Sequence, residues 1–191
     1  PQNVNIDGRE RRQVWLDSKK TIQAIFKLEE KTDKVVFWPI TNLNQLLSLE
    51  QKDNGAVPLA RQLGQQTKAA ESAYPRRLNR PGGFAAWLAP LPHRTRPVTV
   101  FFDELDGRIE SISMRIDGDQ TGQFEQALVQ EINRQWGTPK KTSGKARIWN
   151  STATPAVELR VRKEEASSDR PRPPRFHLSL KAAPVLSAPT P

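Results

Sequence analysis

Five carboxylates stand where acid–base or cation chemistry would need them: Asp103, Glu104 and Asp106, then Asp117 and Asp119. Adjacent carboxylates can share a Ca²⁺ ion through their oxygens, or divide the roles of general acid and general base. Both groups, however, sit beside a glycine, in Asp106-Gly107 and Asp117-Gly118-Asp119. Asp-Gly marks a tight turn, where the Asp side chain bonds its own backbone. The second group also lacks the further ligands and closing Glu of a Ca²⁺-binding loop. Turn formation is the stronger reading for both.

The other reactive types offer less. His93 and His177 lie far apart, and neither stands near a nucleophile motif such as G-x-S-x-G. The chain has 0 Cys, which excludes disulfides, thiolate zinc sites, iron–sulfur clusters and thiol catalysis. The loop Gly137-Thr138-Pro139-Lys140-Lys141-Thr142-Ser143-Gly144-Lys145 invites comparison with a phosphate loop. Its spacing differs, Ala146 stands where the metal-binding hydroxyl belongs, and the loop follows a helical segment instead of opening one. Asn150-Ser151-Thr152 matches the glycosylation acceptor, a pattern short enough to recur by chance. No catalytic residue, metal site or cofactor site emerges, and the sequence points to binding or assembly, not to an enzyme.

Charge is the stronger signal. The chain has 191 residues, with 30 Lys+Arg against 21 Asp+Glu and a formal charge of +9. Between positions 76 and 96 there are five Arg and no acid; from 140 to 181 eleven Lys and Arg face four acids. The candidate contact residues fall in these two regions: Arg76, Arg77 and Arg80 in the first, and Arg160, Arg162, Arg175, His177 and Lys181 in the second. Trp149, followed by Phe101, is the best candidate for an exposed aromatic among them. A basic face suits an acidic protein partner or, alternatively, nucleic acid, although nucleic-acid-binding sheets pair such charge with several stacking aromatics. A solvated face charged against edge association is the plain alternative.

The elements that must position these residues are clearest in the second half. Val98, Val100 and Phe102 alternate with polar or outward positions, the Asp-rich turn follows, and Ile112, Met114 and Ile116 alternate in turn, which predicts a hairpin. Phe124, Leu128, Ile132 and Trp136 recur every four residues, with Thr121 as N-cap, Gly137 just past the end and Pro139 beyond, which predicts a helix. Three strands follow, at 146–149, 157–161 and 176–180. The expected fold class is α+β: an antiparallel sheet in the order β-β-α-β-β-β with the helix on one face, Arg160, Arg162, Arg175, His177 and Lys181 pointing away from it.

The first half reads less clearly. A hairpin of 21–28 and 35–38 turning at Lys31-Thr32-Asp33 is expected, with a helix as the alternative because Leu16, Ile22, Ile25 and Phe26 nearly fit that period too, then helices over 41–50 and 58–74. Five Pro between 75 and 97 predict a long loop, broken by the apolar run 84–88. The organisation is thus a strand-and-helix region 1–74, a Pro-rich linker 75–97, an α+β domain 98–181 and a Pro/Ala/Ser tail 182–191. Segment 167–174, with three Pro, reads as a polyproline loop. The longest uncharged apolar run, 35–40, has a strand's length and is far from the roughly 18 residues of a membrane span. Beginning at Pro1 without Met, the chain is expected to have lost an upstream segment such as a signal peptide.

The motifs Trp136-Gly137-Thr138-Pro139, Ile148-Trp149 and the alternating 157–161, set after a hairpin and a Lys-rich loop, resemble a layout of small bacterial cell-envelope α+β domains. The likeness covers 98–181 and names no activity. It implies an exported, periplasmic protein serving as an accessory or assembly subunit of an envelope complex.

Overall fold

Alternation and four-residue periodicity build the hairpin, the helix and the three strands expected in the second half, but Lys141–Ser143, expected within a Lys-rich loop, adds a short strand after the helix, so the order is not the expected β-β-α-β-β-β. The structure, a computed structural model, describes residues 2–6, 10–16, 22–29, 32–39, 43–50, 58–74, 77–88, 98–119, 121–143, 145–151, 156–164 and 173–183. Two units form, one from residues 1–43 with 88–98 and the other from 44–87 with 99–191. Among the described residues no helix is long and apolar enough to cross a membrane.

The first unit carries an antiparallel meander of four strands: β1 (Gln2–Ile6), β2 (Glu10–Leu16), β3 (Ile22–Glu29) and β4 (Thr32–Pro39), paired in that order. The β3–β4 pair closes on Glu29 opposite Thr32. Thr32 and Asp33, expected in the turn, are therefore strand residues.

The second unit is mostly sheet. Its eight strands are β5 (Arg77–Arg80), β6 (Gly83–Leu88), β7 (Val98–Leu105), β8 (Arg108–Asp117), β9 (Lys141–Ser143), β10 (Ala146–Asn150), β11 (Val157–Glu164) and β12 (Arg175–Ala182). They lie in the order β5-β6-β7-β8-β12-β11-β10-β9. The last strand in sequence thus inserts between β8 and β11, antiparallel to both. Helices α1 (Leu43–Leu46), α2 (Thr67–Ser72) and α3 (Gln123–Trp136) complete the unit. Together they make an α+β fold.

Two expectations need correction here. Residues 77–88, expected within a loop, form the β5–β6 hairpin, because Pro81-Gly82 makes the turn and Phe84, Ala85 and Ala86 are buried. Thr41–Glu50 and Pro58–Tyr74 were each expected as one helix; only Leu43–Leu46, a 3₁₀ turn at Leu59–Gln62 and Thr67–Ser72 are helical. Gly64, with φ +75°, interrupts the second stretch, a backbone geometry that glycine supplies without penalty.

One face of the sheet is covered. α3 buries Leu128, Ile132 and Trp136, and each such side chain contributes up to about 1.5–3 kcal/mol. The Trp136 Nε1–H donates to the Leu47 carbonyl at 2.8 Å, and Phe124 meets Phe176 at 5.6 Å between ring centres. At the other end of the same face, Tyr74 packs on Phe84 and Phe102, which stack at 4.4 Å. The cap of α3 differs from expectation. Asp119 Oδ2 accepts the Phe124 N–H at 2.8 Å, whereas Thr121 Oγ1 is 3.4 Å from the Gln123 nitrogen. The shorter, charged acceptor is the stronger cap. Gly137, at φ +78°, ends the helix as predicted.

Candidate functional site

Register decides which side chains share the face left uncovered among the described residues of this unit, since partners across antiparallel strands lie side by side on one surface. Met114, Leu178 and Val161 are register partners and buried, as are Ile112, Leu180 and Leu159. The residues between them point to the other side. One row there runs Ala146, Arg162, His177, Arg115 from β10 to β8. The next runs Lys141, Ile148, Arg160, Ser179, Ser113, Phe101. A third holds Asn150, Glu158, Lys181, Ser111, Asp103, and a short fourth holds Glu164, Arg175, Asp117.

These rows differ in how their charge is balanced. Arg175 Nε bonds Asp117 Oδ1 at 2.9 Å, and Arg160 stands 3.9 Å from Glu158. Asp103 is held by Arg80 and accepts from Ser111 Oγ at 2.8 Å. Arg162 and Arg115 flank His177 with no ion pair among the described residues. Placing like charges on neighbouring strands is unfavourable. Accordingly His177 is held below its ordinary pKa, first by burial, then by Arg115 and Arg162, with Glu164 pulling the other way. The row therefore sets an imidazole between two cations, its pKa lowered by burial and by both neighbours against the opposing Glu164.

The turn carboxylates are explained by structure. Asp103 binds Arg80 and Ser111, Asp117 binds Arg175, Asp119 caps α3, and Asp106 takes φ +52° in the two-residue β7–β8 turn. Among the described residues no group of three His, Cys, Asp or Glu could hold a metal ion.

The nine sequence candidates separate accordingly. Arg160, Arg162, Arg175, His177 and Lys181 share the uncovered face. Arg80 reaches that face too, but its guanidinium pairs with Asp103 and lies 5.4 Å over the Phe101 ring. Arg77 points to the covered side, 3.7 Å from Glu71. Arg76 lies outside the described residues, as do His93, residues 167–172 and 184–191. Trp149 is corrected: it is fully buried, opposite Leu159, and its Nε1–H donates to Asn133 Oδ1 at 2.9 Å. It anchors α3 to the sheet and is not a contact residue.

Sequence reading missed Arg115, although its alternation with Met114 and Ile116 already sent it outward. It missed Lys141 because β9 is only three residues long, too short to show a period. Comparisons with protein-family models, with curated proteins and with solved structures return no match to this chain.

Proposed function

We propose that this protein is a non-enzymatic binding subunit whose uncovered sheet face, centred on Arg162, His177 and Arg115, docks an acidic surface of a protein partner. The observation that carries this is the contrast between rows: Arg175, Arg160 and Arg80 each have a carboxylate, while the Arg162–His177–Arg115 row has none among the described residues. A partner carboxylate over that row gains charge-assisted hydrogen bonds and removes the repulsion.

A protein fits better than a nucleic acid. Glu158, Glu164 and Asp117 are interspersed among the cations, and these would repel a continuous phosphate backbone. Trp149 is buried and Phe101 lies under Arg80, so the basic zone presents no free stacking ring among the described residues. The envelope setting, an exported accessory subunit of a bacterial complex, enters the proposal through the likeness of residues 98–181 to envelope domains. Fractionation of the source cells tests it: recovery in the cytoplasm would contradict that setting. Titration with a generic oligonucleotide across salt concentrations tests the partner class. No binding at low salt is the expected outcome, and affinity with a steep salt slope would replace the protein reading with a nucleic-acid one.

A further inference from the structure

The edge of the eight-stranded sheet holds a second feature, away from the Arg162–His177–Arg115 row and independent of its reading. β5 is the outermost strand, paired on one side only, with β6. Arg80 stands opposite Gly83 across the Pro81-Gly82 turn, and Leu78 stands opposite Ala85. Bonded and non-bonded pairs alternate along an antiparallel ladder, and a bonded pair closes a two-residue turn. Arg80 and Leu78 therefore direct their backbone groups toward β6. The N–H and C=O of Arg77 and Asn79 point to the open edge, and neither residue has another backbone hydrogen bond among the described residues.

Sheets guard such edges with brevity, charge or proline. β5 has brevity, at four residues, but its two charges are engaged within the chain. Arg77 stands 3.7 Å from Glu71, and Arg80 pairs with Asp103. An acidic strand therefore gains little here. What the edge leaves open is apolar. Leu78 is 58% exposed, and Trp87, two residues beyond Leu78's register partner Ala85 and so on the same face, is 39% exposed.

A second copy of this edge is complementary to it. About a two-fold axis at Leu78, Arg77 of each copy falls opposite Asn79 of the other as a bonded pair, so the outward backbone groups satisfy one another. Leu78 meets the second copy's Leu78 as a non-bonded pair, the kind that brings side chains closest, with Cα atoms about 4.5 Å apart. A register shifted by one residue would set these groups against backbone already bonded to β6. The axis stands perpendicular to the sheet, so Leu78 and Trp87 of both copies join in one apolar strip. We propose that β5 pairs in this register with β5 of a second copy, joining two eight-stranded sheets edge to edge as an isologous dimer. So short an edge makes the association weak and concentration-dependent.

The chain's 0 Cys makes an introduced thiol a clean probe of the register. Leu78→Cys in the full chain places two thiols at the two-fold axis, within disulfide reach. Leu105→Cys is the control, equally exposed at 57% but at the β7–β8 turn. In a glutathione redox buffer Leu78→Cys is expected to form covalent dimer at least about tenfold faster than Leu105→Cys, as a pre-associated pair should. Adding Asn79→Pro removes an N–H aimed at the open edge and leaves the ladder to β6 intact; it should return the rate to that of the control. Sedimentation of the parent up to about 1 mM, the range of a weak complex, should show reversible dimer. Leu78→Lys should stay monomeric with the parent's melting temperature, and it decides the matter if Asn79→Pro does not fold. The proposal is overturned if the parent stays monomeric throughout, if Leu78→Cys crosslinks no faster than Leu105→Cys, or if folded Asn79→Pro or Leu78→Lys leaves the association unchanged.

Discussion

Replacing His177 with Gln keeps a polar side chain on β12 and removes its titration. Strands lie about 4.8 Å apart, so an imidazolium at 177 would sit roughly 5 Å from the flanking positions Arg162 and Arg115. At that range each like pair repels by about 0.8 kcal/mol in water, ~1.6 kcal/mol for both. The imidazole is only half-buried, so solvent and salt reduce this to roughly 0.5–1 kcal/mol. The folded-state pKa is lowered, by burial first and then by Arg115 and Arg162 against the opposing Glu164. Between the ordinary value near 6.5 and that lower value, the unfolded chain binds more protons than the folded one, so stability rises with pH. The parent is therefore expected to lose stability as pH falls below about 6.5, and His177→Gln to escape that part of the loss. At pH near 8 the two should melt alike; at pH near 5 the variant should melt about 2–3 °C higher, and more so at low ionic strength. Thermal denaturation followed by circular dichroism measures this. A difference that is the same at both pH values, or one of opposite sign, would refute the reasoning.

Three further substitutions test how the sheet and helix are held. Gly83 has φ +141°, and a methyl there would run into the Phe102 carbonyl oxygen; Gly83→Ala should destabilise by roughly 3 kcal/mol, about 10 °C in melting temperature, and an unchanged melt would contradict the close approach of β6 to β7. Trp149→Ala should cost about 3–5 kcal/mol in chemical denaturation, where an exposed aromatic would cost under about 0.5 kcal/mol. Asp119→Ala should cost about 1 kcal/mol by the same assay and Thr121→Ala clearly less, because Asp119 accepts the Phe124 N–H at 2.8 Å whereas Thr121 Oγ1 stands 3.4 Å from the Gln123 nitrogen; equal effects would restore Thr121 as the cap.

Legibility in the sequence followed the strength of each local period. β7, β8, β11 and β12 alternate over eight to ten residues, and α3 repeats every four, so their faces could be assigned. β10 has apolar side chains on both faces, Ile148 on one and Trp149 on the other, so its orientation was ambiguous by one residue and Trp149 was sent to the wrong side. β5 and β6 were hidden by proline, although Pro81 serves the turn between them and leaves their ladder intact. The insertion of β12 between β8 and β11 is a long-range pairing with no local signal, yet it is what places Arg162, His177 and Arg115 in one row.

The docking surface itself is tested most directly by a photo-crosslinking amino acid at Ser179, the register partner of both Arg160 and Ser113 at the middle of the uncovered face. Introduced into the full chain in its native source, it should capture a discrete protein whose crosslinked surface is acidic. That adduct should disappear when Arg115→Glu and Arg162→Glu are added with the melting temperature preserved. Capture of nucleic acid, or an adduct indifferent to the two charge reversals, would contradict the account.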